Sequence, residues 1–282
     1  MGEYEKFVSE LQLPKAANNK VPSVYAFSLH KSGSTLLFNM LADIAPHAEY
    51  TYFSIQDQMF KQGVPAMMKA PALEKIENIF DDNGYVFGGF RLYPDNYLIP
   101  NIKTAKKILL VRNPMDALVS WYYSTIKTHE IPKLGKLKKV WERNRKNAKA
   151  QSIDEFVLQE ADRHYKKFID YLKIIEYENT RVYRYEDIIY EKENFLADIC
   201  DFFEWNVGKN NIATVSKRYD VFPEKEDQDS HVRNVHPNDY KNKLSVQTQQ
   251  DLEEKFVDIL EAFGYKLSNS CISYRLRNKS LK

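Results

Sequence analysis

Residues 28–41 read SLHKSGSTLLFNML, a lysine, a glycine and four hydroxyl side chains between two apolar runs. The run before it, VPSVYAF (21–27), is β-branched and aromatic, as a buried strand should be. The run that follows, STLLFNMLADI (34–44), sets Leu36, Leu37, Met40, Leu41 and Ile44 on one helical face. The stretch is therefore a strand-to-helix turn. Amides at a helix start lack intrahelical partners, and the aligned peptide dipoles add partial positive charge, so such a turn favours a bound anion. Gly33 lets the backbone approach that anion, Lys31 adds a formal charge, and Ser32, Ser34 and Thr35 add hydroxyl donors. A phosphate-like group is the expected guest. The plainer alternative is a Ser/Thr N-cap ahead of an ordinary core helix.

Working outward, four short runs read as buried strands, at 23–29, 85–92, 106–112 and 181–186. Segments of helical period lie at 34–45, 116–128, 153–177, 191–204 and 246–263. Strands alternating with helices predict an α/β fold, a mostly parallel central sheet flanked by helices on both faces. Ligands of such sheets bind beyond the carboxyl ends of the strands, where the loop at 28–35 would sit.

No Gly/Ser- or Pro-rich linker divides the 282 residues, so a single domain over 1–282 is expected, with an N-terminal extension (1–20) and a basic tail (268–282). The formal charge of +2 does not indicate a nucleic-acid binder. Two cysteines, Cys200 and Cys271, make no disulfide framework, and no Cys/His cluster suggests zinc. No apolar leader or bilayer-length apolar run is present, which points to a soluble protein in a reducing, cytoplasmic compartment. The stretch KLGKLKKVWERNRKNAK (133–149) is strongly basic and reads as a solvated helix face or mobile lid, or as a surface for an anionic substrate or a membrane.

A Walker A loop with Lys31 as its lysine would need glycines at Tyr25 and His30. The most apolar strand, KKILLVRNP, ends in Arg112, where a magnesium-dependent nucleotide hydrolase would want an aspartate. The site is thus rich in fixed positive charge and suited to work without a metal. After Arg112, the NPMD sequence opens a helix, and Ser120 follows the arginine by about two turns. An Arg and a Ser so placed can grip a second phosphate, although an Arg at a strand end can also be a structural ion-pair partner.

At this point SLHKSGSTLL resembles the 5′-phosphosulfate loop of the cytosolic-type sulfotransferases, and VRNPMDALVSWYY resembles their 3′-phosphate segment. YRYED (183–187) is similar to the tyrosine-bearing segment near the adenine, and RNVHPNDYKN (233–242) to the family's late arginine motif. The four occur in the family's order and span most of the chain. The resemblance implies a single P-loop-like domain and a sulfuryl donor, 3′-phosphoadenosine 5′-phosphosulfate, with no metal required. It places Lys31, Ser32, Gly33, Ser34 and Thr35 around the 5′-phosphosulfate, Arg112, Ser120 and Arg233 at the 3′-phosphate, and Tyr185 near the adenine.

Sulfuryl transfer needs in-line placement and stabilisation of the charge that builds on the bridging oxygen, a task assigned here to Lys31. The family's usual base is a histidine shortly before a proline after the second main strand. In GGFRLYPDN that place holds Leu92. Other candidates are His30, Asp57, His129-Glu130, His231 and His236, and His30 ranks first by its position beside the loop and its intrinsic pKa. Leu36 stands where the family commonly has an adenine-contacting aromatic, so that contact falls more to Tyr185 and to residues the sequence does not identify; Trp205 and Phe222 are candidates but read first as core.

The acceptor is read as a small metabolite or saccharide carrying a hydroxyl or amine. Aromatic clusters at 50–53, 93–97 and 121–123 can line an apolar pocket or simply pack the core. Rival readings are a P-loop small-molecule kinase, which would bind ATP with magnesium, and a non-catalytic nucleotide-binding module, which would never turn the donor over.

Overall fold

Five strands form one sheet in the order β2-β3-β1-β4-β5, where β1 is Val24–Ser28, β2 Thr51–Phe53, β3 Tyr85–Phe90, β4 Lys107–Val111 and β5 Thr180–Arg184. Each adjacent pair is parallel. This is a computed structural model that describes residues 3–64, 80–93, 99, 101–129, 131, 135–223 and 234–268. Its helices are α1 (Glu3–Glu10), α2 (Ser34–Ile44), α3 (Ile55–Lys61), α4 (Pro114–Tyr123), α5 (Gly135–Lys149), α6 (Ile153–Ile175), α7 (Lys192–Phe203), α8 (Lys209–Arg218), α9 (Val246–Lys255) and α10 (Val257–Ala262), with single turns at Tyr185–Ile188 and Tyr240–Lys243.

The period-two alternation of the strands divides the core into two. Tyr25, Phe27, Leu109 and Val111 point to one face, where they pack with Leu118 of α4 and with Phe168 and Tyr171 of α6. Val24, Ala26, Ile108 and Leu110 point to the other, where Leu37 and Leu41 of α2 and Phe195 and Ile199 of α7 cover them. Three consecutive central strands buried on both faces explain why 23–29, 85–92 and 106–112 read as unbroken apolar runs.

β3 carries an extra residue against β1, since Tyr25 pairs with Phe87 but Phe27 with Phe90. Gly89 has φ 78° there, and a Cβ on it would lie 1.7 Å from Ser54 Oγ, so the Gly88-Gly89 pair is needed for the bulge. The bulge turns the chain towards Arg91 and Leu92.

The chain runs from the central β1 to β2 and β3 on one side, then crosses to β4 and β5 on the other. The loop after β1 therefore opens at the topological switch point, the place where parallel sheets leave a crevice.

Several expectations need correcting. The run 181–186 is not a buried strand: β5 is the sheet's edge, half-buried to exposed, and the chain turns helical at Tyr185. The helix expected over 116–128 begins at Pro114 and closes in a π-helical turn, Ser124–Thr128. The helix expected over 246–263 is divided at Phe256 into α9 and α10. The basic stretch forms α5, whose described side chains are mostly exposed, in keeping with a solvated face. Among the described residues no helix is long and apolar enough to cross a membrane.

Candidate active site

The turn after β1 has an unusual backbone. Lys31 has φ 66° and Gly33 φ 86°, both left-handed, on either side of Ser32. Gly33 is the N-cap of α2 and no side chain caps that helix. The first amide to bond back is that of Leu37, which donates to the Gly33 carbonyl at 3.0 Å. The amides of Ser34, Thr35 and Leu36 thus have no intrahelical acceptor and, with the helix dipole, form an anion-binding concavity. Ser32 is fully buried, yet its hydroxyl has no hydrogen-bond partner. Buried polar atoms are nearly always bonded, so this orphan marks a place for a ligand atom.

Gly33 is required by packing as well as by φ. A Cβ on it would stand 2.7 Å from Tyr185 Cδ2 and 3.3 Å from Leu110 Cδ2. Tyr185 is buried, and its phenol, pushed up to about 12 by burial despite the lowering effect of Arg112, stays protonated and donates to the Val235 carbonyl at 2.9 Å. Its ring rather than its hydroxyl is therefore what the turn meets.

Arg112 leaves the end of β4 and is 5% exposed. Its Nε has no partner, the Asp116 carboxylate stands 3.9 Å from Nη2, beyond hydrogen-bond length, and its guanidinium carbon lies 4.5 Å from the centre of the Tyr185 ring. Here is a second buried donor without an acceptor, on the same side of the sheet's carboxyl edge as the turn. Ser120 is half-buried two turns into α4. Arg233 lies outside the described residues, as does His231.

Two carboxylates that the sequence reading passed over hold this region together. Asp116 accepts hydrogen bonds from the amides of Asn238 at 2.7 Å and Tyr240 at 3.0 Å, fastening the late segment to α4. Glu186 accepts from the Asn113 amide at 2.8 Å and from the Tyr265 hydroxyl at 2.9 Å, and burial raises its pKa. Each sits within a recognised motif, but only the fold shows what it bonds.

The candidate bases separate clearly. Asp57 is bound to Arg91 at 2.7 Å, which leaves its carboxylate engaged. The His236 Nδ1 meets the Tyr190 hydroxyl at 2.7 Å, and the His129 ring stacks on Trp141 with centroids 3.7 Å apart. Leu92 lends its carbonyl to Gln56 Nε2 at 3.2 Å and offers no titratable group. His30 is held well below the ordinary histidine range, first by burial and then by Lys167 and Arg91, and its Nδ1 has no partner. It is the neutral, unpaired imidazole next to the turn.

Trp205 is a core residue, whereas Phe222 is 37% exposed and stacked on Tyr190, so its reading as core is corrected. The aromatic cluster at 93–97 lies outside the described residues except for Tyr93.

The family described as "Sulfotransferase domain" matches residues 22–264. No curated protein gives a significant sequence match. Among solved structures, mouse sulfotransferase SULT7A1 complexed with PAP is similar with a TM-score of 0.57 and 15% identity, over 91% of this chain and 89% of that one. Retinol dehydratase in a complex with retinol and PAP is similar with a TM-score of 0.49 and 15% identity, over 94% of this chain and 88% of that one.

Proposed function

Because this chain belongs to the sulfotransferase family, we propose that it moves the sulfuryl group of 3′-phosphoadenosine 5′-phosphosulfate to an acceptor hydroxyl or amine of a small molecule, releasing adenosine 3′,5′-bisphosphate. The observation that carries this reading is the pair of buried orphan donors, Ser32 Oγ and Arg112 Nε, beside uncapped helix amides. Two anion sites of this kind fit a ligand with phosphates at two positions. The SULT7A1 structure described above is complexed with PAP, which is that bisphosphate.

The donor, when bound, supplies a sulfur centre with a good leaving group. Ser32, the α2 amides and Lys31 hold its 5′ end, and Lys31 on its flexible stem follows the charge that builds on the bridging oxygen. Gly33, Ser34 and Thr35 complete that cradle. Arg112, Ser120 and Arg233 hold the 3′-phosphate, and the described chain just past Arg233 supports this, since Val235 is tied to Tyr185 and Asn238 to Asp116. Tyr185 packs the floor beneath the nucleotide. His30 takes the acceptor's proton, for which its neutral form and open Nδ1 suit it.

The test is calorimetric titration with adenosine 3′,5′-bisphosphate and with ATP, each with EDTA and with magnesium. Metal-independent binding of the bisphosphate, with little response to ATP, is expected. Magnesium-dependent binding of ATP alone would mean a kinase instead, and donor binding without turnover on any acceptor would mean a non-catalytic module.

A further inference from the structure

Arg112 and Asn113 form the joint between β4, which ends at Val111, and α4, which begins at Pro114. The amide inside that joint is held from elsewhere in the chain. The Asn113 side chain is spent on the Met115 amide at 2.9 Å, and its own N–H donates to Glu186 Oε1 at 2.8 Å, 73 positions away. Glu186 lies in the single turn Tyr185–Ile188 that follows β5. Its other oxygen accepts from the Tyr265 hydroxyl at 2.9 Å, a further 79 positions along. Tyr265 is placed in turn by Arg184 at the end of β5. The Arg184 Nη1 donates to the Gly264 carbonyl at 2.7 Å, and its guanidinium carbon lies 5.5 Å from the centre of the Tyr265 ring.

These bonds bear on Arg112 because its guanidinium has little else to aim it. Its Nε is buried without a partner, and the Asp116 carboxylate at 3.9 Å is beyond hydrogen-bond length. What the guanidinium meets is the face of Tyr185, and Tyr185 is the neighbour of Glu186 in the same turn. One turn thus grips Arg112 at both ends, with the ring against its guanidinium and the carboxylate on the amide that follows its Cα. A peptide unit is planar, so fixing one plane by β4 before Arg112 and the next by Glu186 after it fixes the direction of the Cα–Cβ bond. A charged donor set in place before its ligand arrives loses less freedom on binding.

We infer that Glu186 is the positioning residue of Arg112, and that through Tyr265 the segment after α10 contributes to recognition of the nucleotide's second phosphate. Each Glu186 oxygen accepts a bond that ties it to the scaffold, so its part is indirect: it holds the cation, and the cation holds the phosphate. Burial first, and then the Glu186 charge, raise the Tyr265 phenol above its ordinary range, which keeps it a donor to the carboxylate. A carboxylate that served stability alone would, on its loss, weaken every nucleotide alike. One that aims Arg112 governs only the increment that the 3′-phosphate adds. The inference rests on the proposed function, which puts that phosphate at Arg112.

The experiment is calorimetric titration of adenosine 3′,5′-bisphosphate and adenosine 5′-phosphate into the parent, Glu186→Ala, Glu186→Gln and Tyr265→Phe. Glu186→Ala is expected to lower the preference for the bisphosphate about tenfold while the monophosphate affinity stays within about twofold. Glu186→Gln keeps an oxygen for the Asn113 amide and should restore the preference to within about threefold of the parent. Added to Arg112→Ala, the change Glu186→Ala should lower the preference no further, since the two act through one contact. An unchanged preference in Glu186→Ala overturns the inference, as do equal losses for both nucleotides or a further loss in the Arg112→Ala background. Should Glu186→Ala not fold, Tyr265→Phe decides, because it removes one hydroxyl and leaves the ring: a preference lowered about threefold supports the inference and an unchanged one overturns it. A parent that does not prefer the bisphosphate would instead overturn the proposed function itself.

Discussion

The guanidinium of Arg112 lies 4.5 Å from the centre of the Tyr185 ring, and the edge of that ring closes on Gly33. One tyrosine thus joins the end of β4 to the turn after β1 and sets the distance between the two proposed phosphate sites. Gly33→Ala should break the arrangement twice. Left-handed backbone costs alanine about 1 kcal/mol, and a methyl 2.7 Å from Tyr185 forces the ring away. A loss of about 2 kcal/mol in urea unfolding is expected, with bisphosphate binding weakened more than about tenfold. A variant as stable and as tight as the parent would contradict this.

Arg112→Ala tests the second site. Removing the guanidinium should weaken adenosine 3′,5′-bisphosphate by about 1.5 to 3 kcal/mol, as for a charged hydrogen bond, and adenosine 5′-phosphate much less. Titration of both ligands checks it, and equal losses would move Arg112 away from the 3′-phosphate.

Lys31→Ala separates chemistry from binding. Lysine already bears the left-handed φ of 66°, so alanine adds no new backbone strain. Turnover should fall about a hundredfold while much of the bisphosphate affinity remains. Unchanged turnover in a labelled-sulfate assay would remove Lys31 from the chemistry.

Asp116 carries the late segment. It is buried and accepts both the Asn238 and the Tyr240 amides, so Asp116→Ala leaves two donors unpaired at a cost of about 2 to 4 kcal/mol. Asp116→Asn, which keeps a carbonyl oxygen, should cost less. Hydrogen exchange at those two amides reads the effect directly.

Stability should fall with acid below the ordinary histidine pKa. His30 and His164 are both held well below 6.5, by burial first and by Lys167 next. Above pH 6.5 neither folded nor unfolded chain protonates them, and below it the unfolded chain takes up protons that the folded chain refuses. The loss is about 1.4 kcal/mol per pH unit for each ring until the folded pKa is reached. Urea midpoints from pH 7.5 to 5.5 check this, and His164→Leu should remove one ring's share of the slope.

Much of the proposed donor site was legible because it is local. A lysine, a glycine and hydroxyl residues between a strand run and a helix run describe one turn, and such turns form from adjacent residues. The central strands were legible for the same reason, since burial on both faces leaves an unbroken apolar run. β2 was missed because three residues carry no period, and α5 was legible only as one alternative for the basic stretch because a helix facing solvent has little apolar stripe. The π turn at 124–128 has no compositional mark.

The sequence by itself determined that a strand, a turn and a helix follow one another at 24–44 and that four motifs stand in a family's order, and it supplied the residues proposed to hold an anion. The tertiary structure decided which residues those motifs meet: Tyr185 under Gly33, Asp116 beneath the late segment, Glu186 bridging Asn113 and Tyr265, and His164 with Lys167 beneath Trp121. The physical reason is range. Hydrogen bonds within a turn depend on neighbours in the chain, whereas these contacts join residues brought together only when strands from distant parts of the chain settle into the order β2-β3-β1-β4-β5.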